Sequence, residues 1–571
     1  MKHKTKIRYD RVIIFILGII LVSFLCFSII VKVFDVAKDV IPQVLPFVSN
    51  KMYLASNEPN VILYDENYNQ TITLPRGTEV KTKDKVNDND KNYYKLIYEK
   101  NNYYVLEENL VKDKKDAVKE TEMYVRTPLT LYENLDSIKI LGLIEKGSKL
   151  EILEYDKLND NGIVNMYKVK YEDKEGYVYG KYLLNTYEEA IKNYDEENNY
   201  KLHASRLDNL GGGDGASLDY YPYEKPKFEN NVMPSDVRAL YLNGGVIRNV
   251  DKYIEVAKSS GINAFVVDIK DNTAPAYPAK AMEEYSITNY NKAINKYETY
   301  KNAIKKLKDE GFYVIGRITV FKDSYYAKDH PEDTIKDTAT GGSYNHDGSY
   351  WPSAYKRNVW EFNVALAIES VKEMGFNEIQ FDYVRFPDRV RPLEKEGKIT
   401  YGNVYNETKA QAIQRFIMYA CDEIHKHNAY VSIDVFGESA HNYVTAYGQY
   451  WPAISNVADV ISAMPYPDHF SKYEYGFNEP VWTVPYKLLD FWSEKYVVKR
   501  QNEISTPAIV RTWIQAYNTN KSPKTTYDSY MISEQLKALY ENGLNGGFMT
   551  WNGSSSLEKY KEISSAFGKE Y

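Results

Sequence analysis

Cysteine is almost missing from this chain: Cys26 and Cys421 are the only two in 571 residues. Cys26 falls inside an apolar N-terminal run, so a bond to Cys421 is not expected and a disulfide-built scaffold is excluded. Histidine is scarce too, at eight residues. No His-Glu-x-x-His spacing occurs, so zinc is not expected. Excess positive charge is lacking: the formal net charge is −7, which argues against a nucleic-acid partner. No strand-like run leads into a Gly-rich phosphate loop, which leaves a doubly wound nucleotide-binding sheet without support.

What is present begins with tyrosine, 55 of them. Such a surplus fits a biased genome, and it also supplies flat faces that stack on sugars. The N-terminus is equally distinctive. Residues 1–11 carry Lys2, Lys4, Lys6, Arg8 and Arg11, and Val12 to Val31 holds no charge. An apolar run of that length spans about 30 Å as a helix, enough for a bilayer core. The basic flank orients it with the N-terminus in the cytoplasm and the rest of the chain outside. A cleaved signal peptide would end in a small-x-small site, and "FLCFSIIVKVF" offers none. The expectation is a retained anchor over 12–34.

Two stretches then echo one another, 52–111 and 123–186. Each has a Leu-Tyr, a glycine (Gly77, Gly147), a β-branched run and a closing leucine (Leu110, Leu183). Short strands with turn residues between them indicate small β-barrels. Residues 187–235 read as a linker, charged at first and then glycine-rich at Gly211–Gly215. From 236 to 568 short apolar runs alternate with helical patterns. Runs at 237–243, 264–270, 313–319, 378–384, 430–436, 460–466, 508–514 and 546–551 give eight strand–helix units, so the expected fold class is α/β, a (β/α)8 TIM barrel.

Strand alternation then selects inward side chains. It turns Asp268 and Lys270, Arg317, Gln380 and Asp382, and Asp434 inward, with Glu438 just beyond Gly437. Arg511, Trp513, Trp551 and Asn552 come from the last two strands. A lone pair such as Asp382 and Arg385 in "IQFDYVRFPD" is commonly structural. Several carboxylates at one rim are different, because like charges crowded together resist burial and displace each other's pKa. One protonated and one ionised carboxylate is what glycosidic cleavage requires. A hard cation held by Asp268, Asp382 and Asp434 is the rival reading; the expectation is no metal and no cofactor. The segment "GGSYNHDGSYWP" (341–352) is a candidate lid.

The motifs "VRALYLNGG", "NAFVVDIKDNTA", "GRITVFKD", "IQFDYVRFPD", "VSIDVFGE", "ISAMPYPDHF" and "GGFMTWNGSS" together resemble the putative glycoside hydrolase domain family of bacterial TIM barrels, over about residues 235–565. The 52–111 and 123–186 pair resembles tandem bacterial Src-homology-3-like domains, most clearly in "GYVYGKYL", which implies binding of cell-wall peptidoglycan. The hydrolase resemblance implies a catalytic Asp382 and an acid/base Glu438. Asp468 in "PYPDHF" is the alternative acid by likeness to alpha-galactosidase-like barrels. Asp268, Lys270, Arg317, Arg385, Asp434, Asp468, Arg511, Trp513, Trp551 and Asn552 would then bind substrate. The combined expectation is a membrane-anchored, extracytoplasmic glycoside hydrolase acting on a cell-envelope or extracellular polysaccharide. The alternative is a glycan-binding protein with a degenerate barrel.

Overall fold

The computed structural model describes residues 50–571. The expected anchor over 12–34 lies outside the described residues. Among the described residues no helix is long and apolar enough to cross a membrane.

The chain divides into two compact units. The first contains an antiparallel sheet of seven strands between Asn50 and Val111. Its core is Leu54, Val61, Leu63, Leu74, Val80 and Leu96. The two glycines that marked the repeat make the same turn. Gly77 has φ +79° and Gly147 φ +81°, a left-handed conformation that suits a residue without Cβ. Each donates its N–H across 2.7 Å, to Leu54 O and Val125 O respectively. The second repeat places five strands in this unit, from Glu122–Val125 to Leu183–Leu184. Its hairpin Leu129–Tyr132/Ile140–Ile144 belongs to the second unit, Thr127–Lys146 plus Ile191–Tyr571. Both repeats nevertheless build a seven-stranded sheet with one strand order, the third, second, sixth, fifth, fourth, first and seventh strands of each in turn.

In the second unit the parallel strands are β1 (Val237–Leu242), β2 (Ala264–Asp271), β3 (Tyr313–Thr319), β4 (Glu378–Asp382), β5 (Tyr430–Phe436), β6 (Val460–Met464), β7 (Ile509–Val510), β8 (Thr512–Gln515) and β9 (Gly547–Trp551). Their order is β7-β6-β5-β4-β3-β2-β1-β9-β8. The two ends of this path, β7 and β8, are consecutive pieces of chain separated by Arg511. One pairs with β6 and the other with β9. The expected closed (β/α)8 barrel is thus corrected to a mixed α/β unit with a nearly closed, barrel-like parallel sheet. The interruption falls where the Arg511 side chain turns inward to Glu378, two fully buried groups that bond at 2.7 and 3.0 Å.

Helices fill the crossovers for local reasons. Lys409–Ile424 starts at a capping box in which Thr408 and Gln411 satisfy each other's backbone N–H. Arg357–Met374 ends at Gly375, with φ +78°. Inside the sheet, Val237, Ala239, Tyr241, Ala264, Val266, Ile315, Trp513 and Met549 pack into one core. Residues 199–233 also pack onto this unit. Arg206 reaches Glu503 at 2.7 and 2.8 Å. At Gly212 a Cβ would lie 1.9 Å from Thr445 O, so here glycine permits a close backbone approach.

Candidate active site

Parallel strands present their carboxyl ends to one face, where α/β sheets bind ligands. At that face a cavity of about 240 Å³ is lined by Asp271, Arg317, Asp382, Asp434, Trp513 and Trp551, among others. Four strands deliver its charged floor. Arg317, from β3, is 2 % exposed. Its Nη1 donates to Asp268 Oδ1 at 2.8 Å, and its Nη2 to Asp382 Oδ2 at 2.6 Å. The third carboxylate near it, Asp271, lies 3.9 Å away. Tyr241 OH donates to the other oxygen of Asp268 at 2.6 Å. The Arg317 guanidinium also lies 5.4 Å from the Trp551 ring centre, a cation–π contact.

Asp382 ends β4, and the next residue, Tyr383, has φ +53°. That left-handed turn brings the Tyr383 N–H to within 2.6 Å of Asp382 Oδ1. A bulky residue held this way stores strain, and such strain concentrates at functional sites. Asp434, from β5, accepts from Trp513 Nε1 at 2.8 Å, while its Oδ2 is buried without a partner. Burial, and then the nearby charge of Asp382, push the Asp434 carboxyl well above its ordinary pKa. Burial also raises Asp268, to about 6, against the pull of Arg317. One pocket therefore holds a carboxylate clamped by a guanidinium beside a carboxyl that favours its neutral form.

Not every expected site residue is here. Lys270 is fully buried and points away, to Asp323 and Thr319 O, both at 2.6 Å. A register shift between Asp268 and Lys270 breaks the alternation, and Asp271 takes the place in the cavity wall. Arg511 lies at the opposite end of the strands, beside Glu378, the first residue of β4. Asn552 is tied into a turn, donating to Ala516 O and accepting from Ser556 N. Arg385 lines the cavity but bonds Asp388 at 3.3 Å; the guanidinium on Asp382 comes from Arg317 instead. Glu438 and Asp468 line a second cavity of about 660 Å³. Both oxygens of Glu438 accept from tyrosines, Tyr443 at 3.0 Å and Tyr447 at 2.8 Å, and Asp468 accepts from Tyr517 at 2.7 Å.

Sequence reading missed Asp271, Tyr383, Phe436, Met464, Tyr466 and His469 as cavity wall. Phe436 could have been found, since it lies two residues past the inward Asp434 on the same face of β5, and Met464 and Tyr466 follow at the end of β6 with the matching parity. The candidate lid contains the small hairpin Asn345–His346/Ser349–Tyr350, and Trp351 just after it meets the Tyr383 ring edge-on at 5.7 Å. As for metals, Arg317 fills the position a cation shared by Asp268 and Asp382 would take. Among the described residues one cluster has metal-ligand spacing, His330, Glu332 and Asp333. There His330 Nε2 is engaged by Tyr285 O, and Asp333 by Tyr326 OH.

Residues 239–557, more than half of the chain, match the family described as "Putative glycosyl hydrolase domain". No curated protein matches. Among solved structures, the chain is similar to a hypothetical protein from Ruminiclostridium thermocellum, with 29% identity, 34% of this chain and 97% of that one covered, and a TM-score of 0.29. It is also similar to the PgaB (BpsB) glycoside hydrolase domain from Bordetella bronchiseptica, with 12% identity, 58% and 99% covered, and a TM-score of 0.42. A class V chitinase from Pseudomonas fluorescens gives 13% identity, 58% and 99% covered, and a TM-score of 0.36.

Proposed function

Because the chain belongs to the putative glycosyl hydrolase domain family, we propose that the Asp382–Asp434 pocket hydrolyses glycosidic bonds of a cell-envelope or extracellular polysaccharide. The observation that carries this reading is the unequal pair: Asp382 held by Arg317, and Asp434 raised by burial in the same cavity. Asp382 in its charged form stabilises or attacks the anomeric carbon. Asp434 gives its proton to the leaving oxygen, and water supplies the hydroxyl that replaces it. Trp513 and Trp551 offer ring faces to the sugar. Glu438, which the family resemblance favoured as donor, is held at both oxygens by tyrosine hydroxyls. With both oxygens engaged by hydroxyl donors, Glu438 is less free to reach a leaving oxygen and is better placed to help bind sugar hydroxyls.

The sign of the pH dependence follows. A donor with a raised pKa stays protonated further into the alkaline range, and activity falls as pH rises through that value. On 4-nitrophenyl and poorer-leaving aryl glycosides, the alkaline limb of kcat/KM is expected well above the ordinary carboxylate range. Asp434→Asn should remove that limb and cost roughly 10²–10³-fold, most with the poorest leaving groups. Survival of both rate and limb in Asp434→Asn, with their loss in Glu438→Gln, would transfer the donor role to Glu438.

The basic residues before Val12 and the uncharged run after it support an anchored enzyme facing outward. Protease added to intact, wall-stripped cells is expected to digest the barrel-like unit. Its protection would overturn that orientation.

A further inference from the structure

The catalytic cavity is not blind. Phe436, Met464 and His469 line both it and the second cavity of about 660 Å³, so the two share a wall. That second cavity shares Tyr443 with a third, of about 580 Å³. The three lie side by side within the second unit, and one proton donor and one nucleophile use only the first. What lines the others is suited to sugars. The middle cavity is lined by the rings of Phe436, Phe470, Tyr443 and Tyr475 together with the carboxylates of Glu438 and Asp468. Such a lining of flat apolar rings and hydrogen-bond acceptors suits the apolar faces and the hydroxyl rim of a pyranose. The third cavity has hydroxyl and amide groups at Ser205, Asn209 and Asn442. Its floor is Arg206 and Arg500, both locked onto the buried Glu503 and so held in place.

Resting on the hydrolase reading above, we infer that the substrate is a glycan chain, several sugars of which, on one side of the cleaved bond, occupy this row of cavities past Tyr443. A single sugar on a small leaving group would leave two of the three cavities unused. Binding energy gathered there, remote from the reacting bond, can be spent on the transition state and so appears in kcat/KM.

The test uses the full chain with labelled malto-, xylo-, cello- and chito-oligosaccharide series, alongside 4-nitrophenyl monosaccharides. In the series that is cut, kcat/KM is expected to rise by roughly tenfold or more from the shortest members to those long enough to pass Tyr443. Asn442→Trp would fill the third cavity from its exposed rim, since Asn442 is an exposed residue outside the catalytic pocket. It should erase most of that gain for long chains and leave the short ones unchanged. Equal kcat/KM at all lengths, or cleavage of monosaccharide glycosides alone, would overturn the row of subsites while keeping the hydrolase. A gain with length that Asn442→Trp does not touch would remove the third cavity from it. Cleavage of nothing, monosaccharide glycosides included, would overturn the hydrolase reading itself.

Discussion

Asp382→Asn is expected to lower kcat/KM by roughly 10³–10⁴-fold while leaving the fold and glycan binding in place. The amide keeps the shape of the carboxylate and can still accept one hydrogen bond from Arg317 through its oxygen. What it loses is the negative charge at the anomeric carbon. Asp434 should respond as well: part of its raised pKa comes from the charge of Asp382, so its titration moves down in the variant. Two measurements separate a catalytic from a structural role. Turnover on an activated aryl glycoside reads the chemistry, and thermal unfolding reads the fold. A variant that unfolds would show Asp382 and Arg317 to be a structural clamp. A folded variant with wild-type turnover would end the assignment.

Arg317→Met is expected to be the most damaging single change in the barrel-like sheet. It strands two carboxylates at once, since Asp268 is 2 % exposed and Asp382 6 % exposed. Removing one partner of a buried pair costs about 3–5 kcal/mol, and here a triad is broken, so the upper end of that range is expected. The loss should depend on pH. Without the guanidinium both carboxyls favour the neutral form, so the folded state binds protons more tightly than the unfolded chain. Stability in the variant should therefore be highest in acid and decline as pH rises through the raised values. Urea midpoints at several pH values check this. A loss that is small and flat with pH would mean that solvent reaches the floor of the pocket. Asp268→Asn in the same background should recover part of the stability, because it removes one of the stranded charges.

Much of this site was legible in strand alternation. The inward set Asp268, Arg317, Asp382, Asp434, Trp513 and Trp551 does converge, five of them lining one cavity and Asp268 bonded to its floor. The alternation holds because a side chain in a regular strand has only two faces to choose from. It failed where regularity failed. Past the register shift in β2, Lys270 turns to Asp323 and Asp271 takes the rim. It was also silent about depth. Arg511 and Trp513 share a face, yet Trp513 meets Asp434 in the candidate pocket while Arg511 meets Glu378 at the start of β4. Two residues along a strand separate the layer that lines the cavity from the layer beneath it, and nothing local distinguishes them.

By itself the sequence determined the order of strands and helices, the inward parity of the carboxylates, and the family to which residues 239–557 belong. It also carried the glycine turns at Gly77 and Gly147. Only the tertiary structure decided that the parallel sheet stops short of closure at Arg511 and that Arg317, not Arg385, holds Asp382. It alone showed that burial and the charge of Asp382 raise the Asp434 carboxyl, and that burial raises Asp268 beside Arg317. The reason is physical. Period and propensity act along the chain, over a few residues. Burial, ion pairing and the pKa of an acid depend on which groups distant strands bring within a few ångströms, and that is set by packing.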